Sequence, residues 1–257
     1  MQNRYAGDIG DFGKYALLKA LAGENLRLGV VWYLNTSEED NRDGSRVNYE
    51  HLRHCDPWLH DALAELRRSN RSVHTVKAAG LLPVNAVYYS EPICSLEEGK
   101  RPLPMVRARS RAAWHRSALD AVSEADLVFV DPDNGIAVKN VRASDRHSVK
   151  YVFLEEITDY VSRGQSVVIY HHQTREKGGI RVQVDQRLRL LLQMSSAAEA
   201  WTLIFRRQSV RAFIVVCCPK HVQQLRNRSL AFQNTVWCRD NHFELYAPIL
   251  EHAPQDC

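Results

Sequence analysis

Three short stretches of the 257-residue chain concentrate side chains that do chemistry. Asp131-Pro132-Asp133-Asn134-Gly135 directly follows the apolar run Leu127-Val128-Phe129-Val130. A carboxylate at the end of a buried strand has a pKa that partial burial tunes. Pro132 stiffens the exit, and Asn134-Gly135 permits a tight left-handed turn. Two acids and an amide so placed suit acid–base work or the holding of a cation; the plain alternative is a polar turn, which uses the same residue types. His171-His172 follows the apolar segment 166–170 and offers a general base or a metal ligand. No third ligand accompanies the pair at helical spacing, so a hydrogen-bonded structural histidine is the competing reading. Residues 5–15, Tyr-Ala-Gly-Asp-Ile-Gly-Asp-Phe-Gly-Lys-Tyr, put three glycines and two acids ahead of the apolar stretch 16–21. A glycine-rich lead into a helix can offer backbone N–H groups to an anion or a ligand carboxylate. The stretch has neither P-loop nor G-x-G-x-x-G spacing, and its alternative is an N-cap region rich in glycine.

The elements that must position these residues follow from apolar patterning. Runs at 29–34, 72–76, 86–90, 126–130, 166–170, 201–205 and 212–217 are rich in Val, Ile and Tyr and read as strands covered on both faces. Between them, 57–68 carries Leu59, Leu63 and Leu66 at helical spacing behind an Asp56-Pro57 N-cap signal. Segments 110–123, 152–162, 182–194 and 219–230 also read as helices. Strand alternating with helix predicts a parallel sheet with crossover helices. Only residues 206–211 join the last two runs, too few for a crossover, so those strands pair antiparallel. The predicted fold is thus a Rossmann-like, mostly parallel α/β sheet with helices on both faces and a C-terminal antiparallel hairpin strand. In such a sheet ligands bind beyond the carboxyl ends of the strands. The loops 35–44, 131–135 and 171–175 should therefore converge on one crevice. The Glu155-Glu156 pair, near a helix start, reads as capping or solvated charge.

Composition bounds the rest. With 45% hydrophobic and 25% charged residues, the chain falls in the globular class, which excludes disordered, collagen-like and disulfide-scaffold readings. It is read as one domain, 1–257, with an N-terminal covering segment (1–22) and an exposed insertion (91–110). Lys and Arg exceed Asp and Glu for a net charge of +4, a mildly basic balance compatible with nucleic acid. No apolar run reaches the roughly 18 residues of a membrane span, and the N-terminus has no signal-peptide apolar region. The six cysteines show no C-x-x-C pair, which argues against a zinc ribbon. Cys217 and Cys218 read as buried thiols, and a reducing cytoplasm is the expected compartment.

The N-terminal stretch resembles a motif of the J-type large-subunit ribosomal-RNA adenine methyltransferases, His-Ala-Gly-Asn-x-Ala-Asp-x-x-Lys-His, with Ala6, Gly7, Asp11 and Lys14 matching directly. Asp131-Pro132 stands where that family has Asp-Pro-Pro-Tyr, and the strand order with its antiparallel closing strand is also that of Rossmann-like methyltransferases. The resemblance implies S-adenosylmethionine as cofactor, with Tyr5, Gly7, Asp8, Asp11, Lys14, Asn35 and Thr36 as candidate contacts. It implies that Asp131 accepts a hydrogen bond from a target amine; Asp133, Asn134, His171 and His172, read from their positions at the strand ends, are the further catalytic candidates. The sequence departs from the family in three places. Asp133-Asn134 replaces the Pro-Tyr half of the motif, the loop after the first strand lacks Gly-x-Gly, and Lys77 stands where an acid would grip the ribose. Three functions stay open on these residues. The first is transfer of a methyl group to a nucleic-acid base, with Arg101, Arg107, Arg109, Arg111, Arg175, Lys177 and Arg181 meeting phosphate. The second is a nuclease or phosphodiesterase using Mg or Mn held by Asp131, Asp133 and His171 or His172. The third is an inactive module that binds nucleic acid or protein.

Overall fold

The computed structural model describes residues 1–36, 44, 47–93 and 102–247. The expectations attached to residues 37–43 of the first loop, to residues 94–101 of the 91–110 insertion, Cys94 and Arg101 among them, and to Cys257 fall outside the described residues. The chain forms a seven-stranded sheet flanked by helices and is Rossmann-like. In chain order the elements are α1 (Ile9–Ala22), β1 (Leu28–Trp32), α2 (Pro57–Arg68), α3 (Val73–Ala78), β2 (Val87–Tyr89), α4 (Pro104–Ala121), β3 (Leu127–Asp131), β4 (Gly135–Ile136), β5 (Tyr151–Val152), α5 (Leu154–Ser162), β6 (Ser166–His172), α6 (Gly179–Met194), β7 (Glu199–Arg207), β8 (Ser209–Cys217), α7 (Val222–Gln233), α8 (Val236–Arg239) and β9 (Phe243–Tyr246). The sheet order is β2-β1-β3-β6-β8-β7-β9. β2, β1, β3 and β6 are parallel, and β8 runs antiparallel between β6 and β7.

Each central strand alternates its side chains between two cores, as a pleated strand must. Leu127 and Phe129 of β3 join a core built with α1, α2, α3, α7 and α8. Val128 and Val130 join the opposite core, built with α4, α5 and α6. The apolar stripe of α2 lies where its spacing placed it, with Leu59, Leu63 and Leu66 buried against the first core. The hairpin runs β7 against β8 in continuous register from Glu199↔Cys217 to Arg207↔Ser209. Its turn residue, Gln208, takes a left-handed backbone (φ 63°). Cys217 and Cys218 are buried free thiols, as expected.

Three local expectations are corrected. Residues 72–76 form helix α3, not a strand. The Ser72 side chain accepts from the Thr75 backbone N–H at 3.1 Å, and Val73 and Val76, three apart, are both buried. A hydroxyl N-cap thus outweighs the strand preference of β-branched residues. Helix α1 begins at Ile9, so Gly10 and Gly13 lie within it rather than leading into it. Gly13 allows a close approach to the sheet, because a Cβ there would meet the Phe205 ring at 2.9 Å. Arg111, expected on a phosphate-facing surface, is buried and bound to Glu156 by Nε to Oε1 at 2.7 Å and Nη2 to Oε2 at 2.9 Å. Glu156 also caps α5 by accepting from the Phe153 backbone N–H, so it caps as anticipated but is not solvated. Among the described residues no helix is long and apolar enough to cross a membrane.

The N-cap explanation of α3 is directly testable. Ser72→Ala lowers the free energy of unfolding by about 1 kcal/mol in a urea titration with an unchanged slope. A variant as stable as the parent would show that the cap does not hold this helix.

Candidate functional site

A cavity of about 560 Å³ opens beyond the carboxyl ends of β3 and β6. Its lining joins stretches far apart in the chain: Tyr5, Asp8, Asp11 and Lys14 from the N-terminal segment, Asp131 at the end of β3 with Asp133 and Asn134 just after it, and His172 at the end of β6. Gly7, Asn35, Thr36 and His171 do not line it. Tyr170, Arg211, Lys150, Gln208 and Ser209, none of them singled out from the sequence, do.

At its centre is a buried ion triad. The Lys14 ammonium lies 2.6 Å from Asp11 Oδ1 and 2.8 Å from Asp131 Oδ2. Asp131 reaches it because it continues the Leu127, Phe129 face of β3, which is the face α1 covers. The other oxygen of Asp11, Oδ2, accepts from the Gly7 backbone N–H at 2.9 Å and the Tyr15 hydroxyl at 3.1 Å. The Gly7 N–H therefore serves this aspartate and not an external anion. Burial opposes the Lys14 charge, but Asp11 and Asp131 more than offset it and hold the pKa above the ordinary lysine value. For Asp131 burial prevails over the attraction of Lys14 and the Met1 amine, so its pKa is raised.

Met1 closes another side. Its amine donates to Tyr33 O at 2.9 Å and Asp131 O at 3.0 Å, and pairs with Asp133 Oδ1 at 2.7 Å. The Asn35 N–H donates to Met1 O at 2.9 Å, and Gln2 Nε2 donates to the other Asp133 oxygen at 2.9 Å. Residue 1 thereby bridges the ends of β1 and β3, the switch point of the sheet, and the cavity opens on the β3–β6 side.

The 131–135 loop is held by its own small sheet. Asn134 N–H donates to Lys150 O at 2.8 Å, and β4 pairs in parallel with β5, which brings Lys150 to the cavity. The two histidines divide by strand alternation. Tyr170 and His172 face the cavity, with the Tyr170 hydroxyl 3.3 Å from His172 Nδ1. His171 points to the other side and is fully buried; its Nδ1 accepts from the Ile136 N–H at 3.2 Å. Burial, followed by the nearby Arg187 and His172, lowers its pKa to about 3, so it is neutral at physiological pH. It props the turn under Asp133 and Asn134. The backbone passes so close that a Cβ on Gly135 (φ +102°) would lie 2.3 Å from His171 Nδ1.

On the adjacent strand, Arg211 is paired with His172 in the β6–β8 register. Its guanidinium lies over Gly10, where a Cβ would be 3.0 Å from Nε. Asp8 caps α1 by accepting from the Asp11 N–H at 2.9 Å. Burial and the charge of Asp11 push its pKa up to about 6. A carboxyl near neutrality on a cavity wall can exchange a proton at working pH. The site as a whole can orient an amine or ammonium on its acids and a carboxylate on Arg211. It is a poor divalent-metal cage as arranged, because Lys14 and the Met1 amine already hold the carboxylates an ion would need, and Nδ1 of His171 is committed to the backbone. No protein-family model matches this chain, and no curated protein matches it.

Two measurements check this geometry. Asp8 has a folded-state pKa above its unfolded value of 3.8, so it favours folding most at pH below about 4, and that support is lost as pH rises through about 6. Asp8→Asn keeps a good N-cap and removes the titration. It is expected to stabilise the chain by up to about 3 kcal/mol at pH 7.5, with the gain vanishing by pH 4; a pH-independent difference would contradict the raised pKa. Gly135→Ala should destabilise by about 2–4 kcal/mol from strain and overpacking, read by denaturant unfolding.

Proposed function

We propose that the chain is a methyltransferase that uses S-adenosylmethionine and acts on an amine of nucleic acid, in a reducing, cytoplasmic setting. One observation carries the reading: Lys14 of the N-terminal motif and Asp131 at the end of β3 meet as a 2.8 Å ion pair in the wall of one cavity. The resemblance linked these two stretches only by analogy, and they lie 117 residues apart. The sheet order supports it as well, since an antiparallel strand inserted between two parallel ones distinguishes Rossmann-like methyltransferases from dinucleotide-binding folds.

The lining fits the amino-acid end of that cofactor. Arg211 supplies a cation for a carboxylate, and Asp8, which neither Lys14 nor the Met1 amine pairs with directly, supplies an acid for an ammonium. A cavity of about 560 Å³ also lies within the roughly 300–1,000 Å³ typical of ligand sites. When bound, the cofactor supplies an electrophilic methyl group. The chain's own work is to present the nucleophile. Lys14 fixes Asp131 through Oδ2, so the carboxylate is oriented to receive an N–H of the acceptor. The Met1 contact on the Asp131 carbonyl holds the backbone at that point. His172, tied to the Tyr170 hydroxyl at the rim, is placed to flank the acceptor, and Asp8 is the group able to take up a proton near neutral pH. Arg175 and Lys177, exposed just beyond His172, are the cations available to phosphate.

Calorimetric titration with S-adenosylmethionine tests the cofactor, and transfer of labelled methyl groups to total RNA and DNA tests the reaction. Asp131→Asn is expected to retain cofactor binding and to lose transfer by at least about 100-fold. Absence of binding heat, together with a thermal shift on adding Mg or Mn, would reject the methyltransferase in favour of the metal-dependent phosphodiesterase.

A further inference from the structure

On the opposite side of the Arg207–Ser209 turn from the cavity, a second group of chemistry-bearing residues gathers. His54 and Cys55 end the short 3-10 segment Glu50–Cys55. His242 directly precedes β9. Although nearly 190 positions apart in the chain, these three place one nitrogen or sulfur ligand atom each within 4.8 Å of one another. The spacing suits a small ion. A tetrahedral zinc-class ion with bonds of about 2.0–2.3 Å keeps its donors roughly 3.3–3.8 Å apart. Cys55 Sγ and His54 Nε2 are 3.7 Å apart. Asp240 Oδ2 is 2.8 Å from the same His54 nitrogen but lies outside the three-residue cluster, so it becomes a fourth donor only by exchanging that contact for a place beside Cys55 and His242.

His242 shows that the cluster is unfinished. The residue is 5% exposed, and its ring packs against Trp237 with centroids 6.2 Å apart. Its Nε2 is buried and has no hydrogen-bond partner among the described residues. A buried polar atom with no partner costs roughly 1–3 kcal/mol unless something else satisfies it. The remaining contact sets a condition. Arg207 Nε donates to His242 Nδ1, which leaves the proton of the neutral ring on Nε2. An ion on Nε2 therefore requires Arg207 to release Nδ1, which Arg207 can do because Nη2 also holds Asp240 O at 3.1 Å.

We propose that His54, Cys55 and His242 form a binding site for a zinc-class divalent ion, with Asp240 as the fourth donor and Arg207 as the residue that opposes loading. Two imidazoles, one thiolate and one carboxylate form a borderline-soft donor set, which selects zinc or cobalt over magnesium or calcium. The bound ion ties the 3-10 segment, close to the start of α2, to the junction of α8 and β9. It thereby links the first and last parts of the described chain across one core. The site is independent of the catalytic reading.

Cobalt reports the donor set through its spectrum. Titrating reduced, chelator-stripped full-length chain with Co²⁺ should give one site with a thiolate charge-transfer band and the intense visible bands of tetrahedral cobalt, displaced by Zn²⁺. Cys55→Ser should lose the charge-transfer band, and His242→Gln should weaken binding at least about tenfold. Arg207→Gln should tighten binding, because a glutamine oxygen accepts from Nδ1–H and leaves Nε2 to the ion. Zn²⁺ should also raise the thermal midpoint of the parent chain and not that of Cys55→Ser. Three results would each overturn the site: a charge-transfer band that persists in Cys55→Ser, absence of tetrahedral cobalt bands at large molar excess, or weaker binding by Arg207→Gln when circular dichroism shows it folded.

Discussion

A lysine ammonium held between two aspartates inside the protein governs how the rest of the molecule is arranged. Lys14, Asp11 and Asp131 have side chains only 2–5% exposed. Charges so buried are tolerated only when geometry is good and every remaining lone pair finds a donor. At Asp11 the structure meets both conditions with local features. Gly13 lets α1 lie against Phe205 of the sheet, which brings Lys14 within reach of β3. The Gly7 N–H and the Tyr15 hydroxyl occupy the second oxygen of Asp11. Tyr49 and Arg67 then hold the carbonyl of Gly7, at 3.0 and 3.4 Å, and lock the segment ahead of α1 onto α2. Removing one member leaves an unpaired buried charge, a loss of roughly 3–5 kcal/mol. Replacing the whole triad by apolar residues of matching volume would not carry that cost, so stability alone does not account for these residues. What they add is a carboxylate with a fixed orientation.

The parallel core of the fold was legible because buried strands are continuous apolar runs and their crossovers carry helical spacing. The hairpin was legible because six residues cannot form a crossover. What escaped has specific causes. Phe243–Tyr246 is an edge strand whose last three residues are only partly buried, so it offers no continuous apolar signal. The segment 72–76 carries two valines and a threonine, the same residues a strand would use, and only Ser72 marks it as a helix start. Gly135–Ile136 and Tyr151–Val152 form a two-residue ladder, too short for any periodicity. That ladder nevertheless fixes the loop that carries Asp133 and Asn134.

At the site, the residues at strand ends were legible and those brought by tertiary pairing were not. Arg211 reaches the cavity through its register with His172, a fact of β6–β8 pairing that no local pattern contains. The division between the two histidines was present in the sequence all along. Side chains alternate along a strand, so Tyr170 and His172 must share one face and His171 must take the other. Because the face of Leu127, Phe129 and Asp131 is the α1 face, the same alternation selects Asp131 as the partner of Lys14.

The charge of the cavity bears on which of the three functions fits. Asp8, Asp11, Asp131 and Asp133 contribute four acids; Lys14, Arg211, Lys150 and the Met1 amine contribute four cations. Such a balanced wall has no net pull on a polyanion, so attraction to phosphate has to come from outside it, from cations such as Arg109, Arg175 and Lys177. The balance works inside the cavity by direction. Asp11 and Asp131 share Lys14, Asp133 pairs with the Met1 amine and Asp8 feels the Arg211 charge, so a ligand is held by matching ammonium to carboxylate and carboxylate to guanidinium rather than by total charge. A divalent ion would have to displace Lys14 and the Met1 amine before reaching Asp131 and Asp133, leaving two displaced cations beside its own two charges. A zwitterionic ligand brings no net charge and can meet Asp8 and Arg211 without displacing Lys14 or the Met1 amine. On electrostatic grounds alone, the cavity favours a ligand with both charges of an amino acid over a metal ion, and this asymmetry separates the methyl-transfer reading from the phosphodiesterase one.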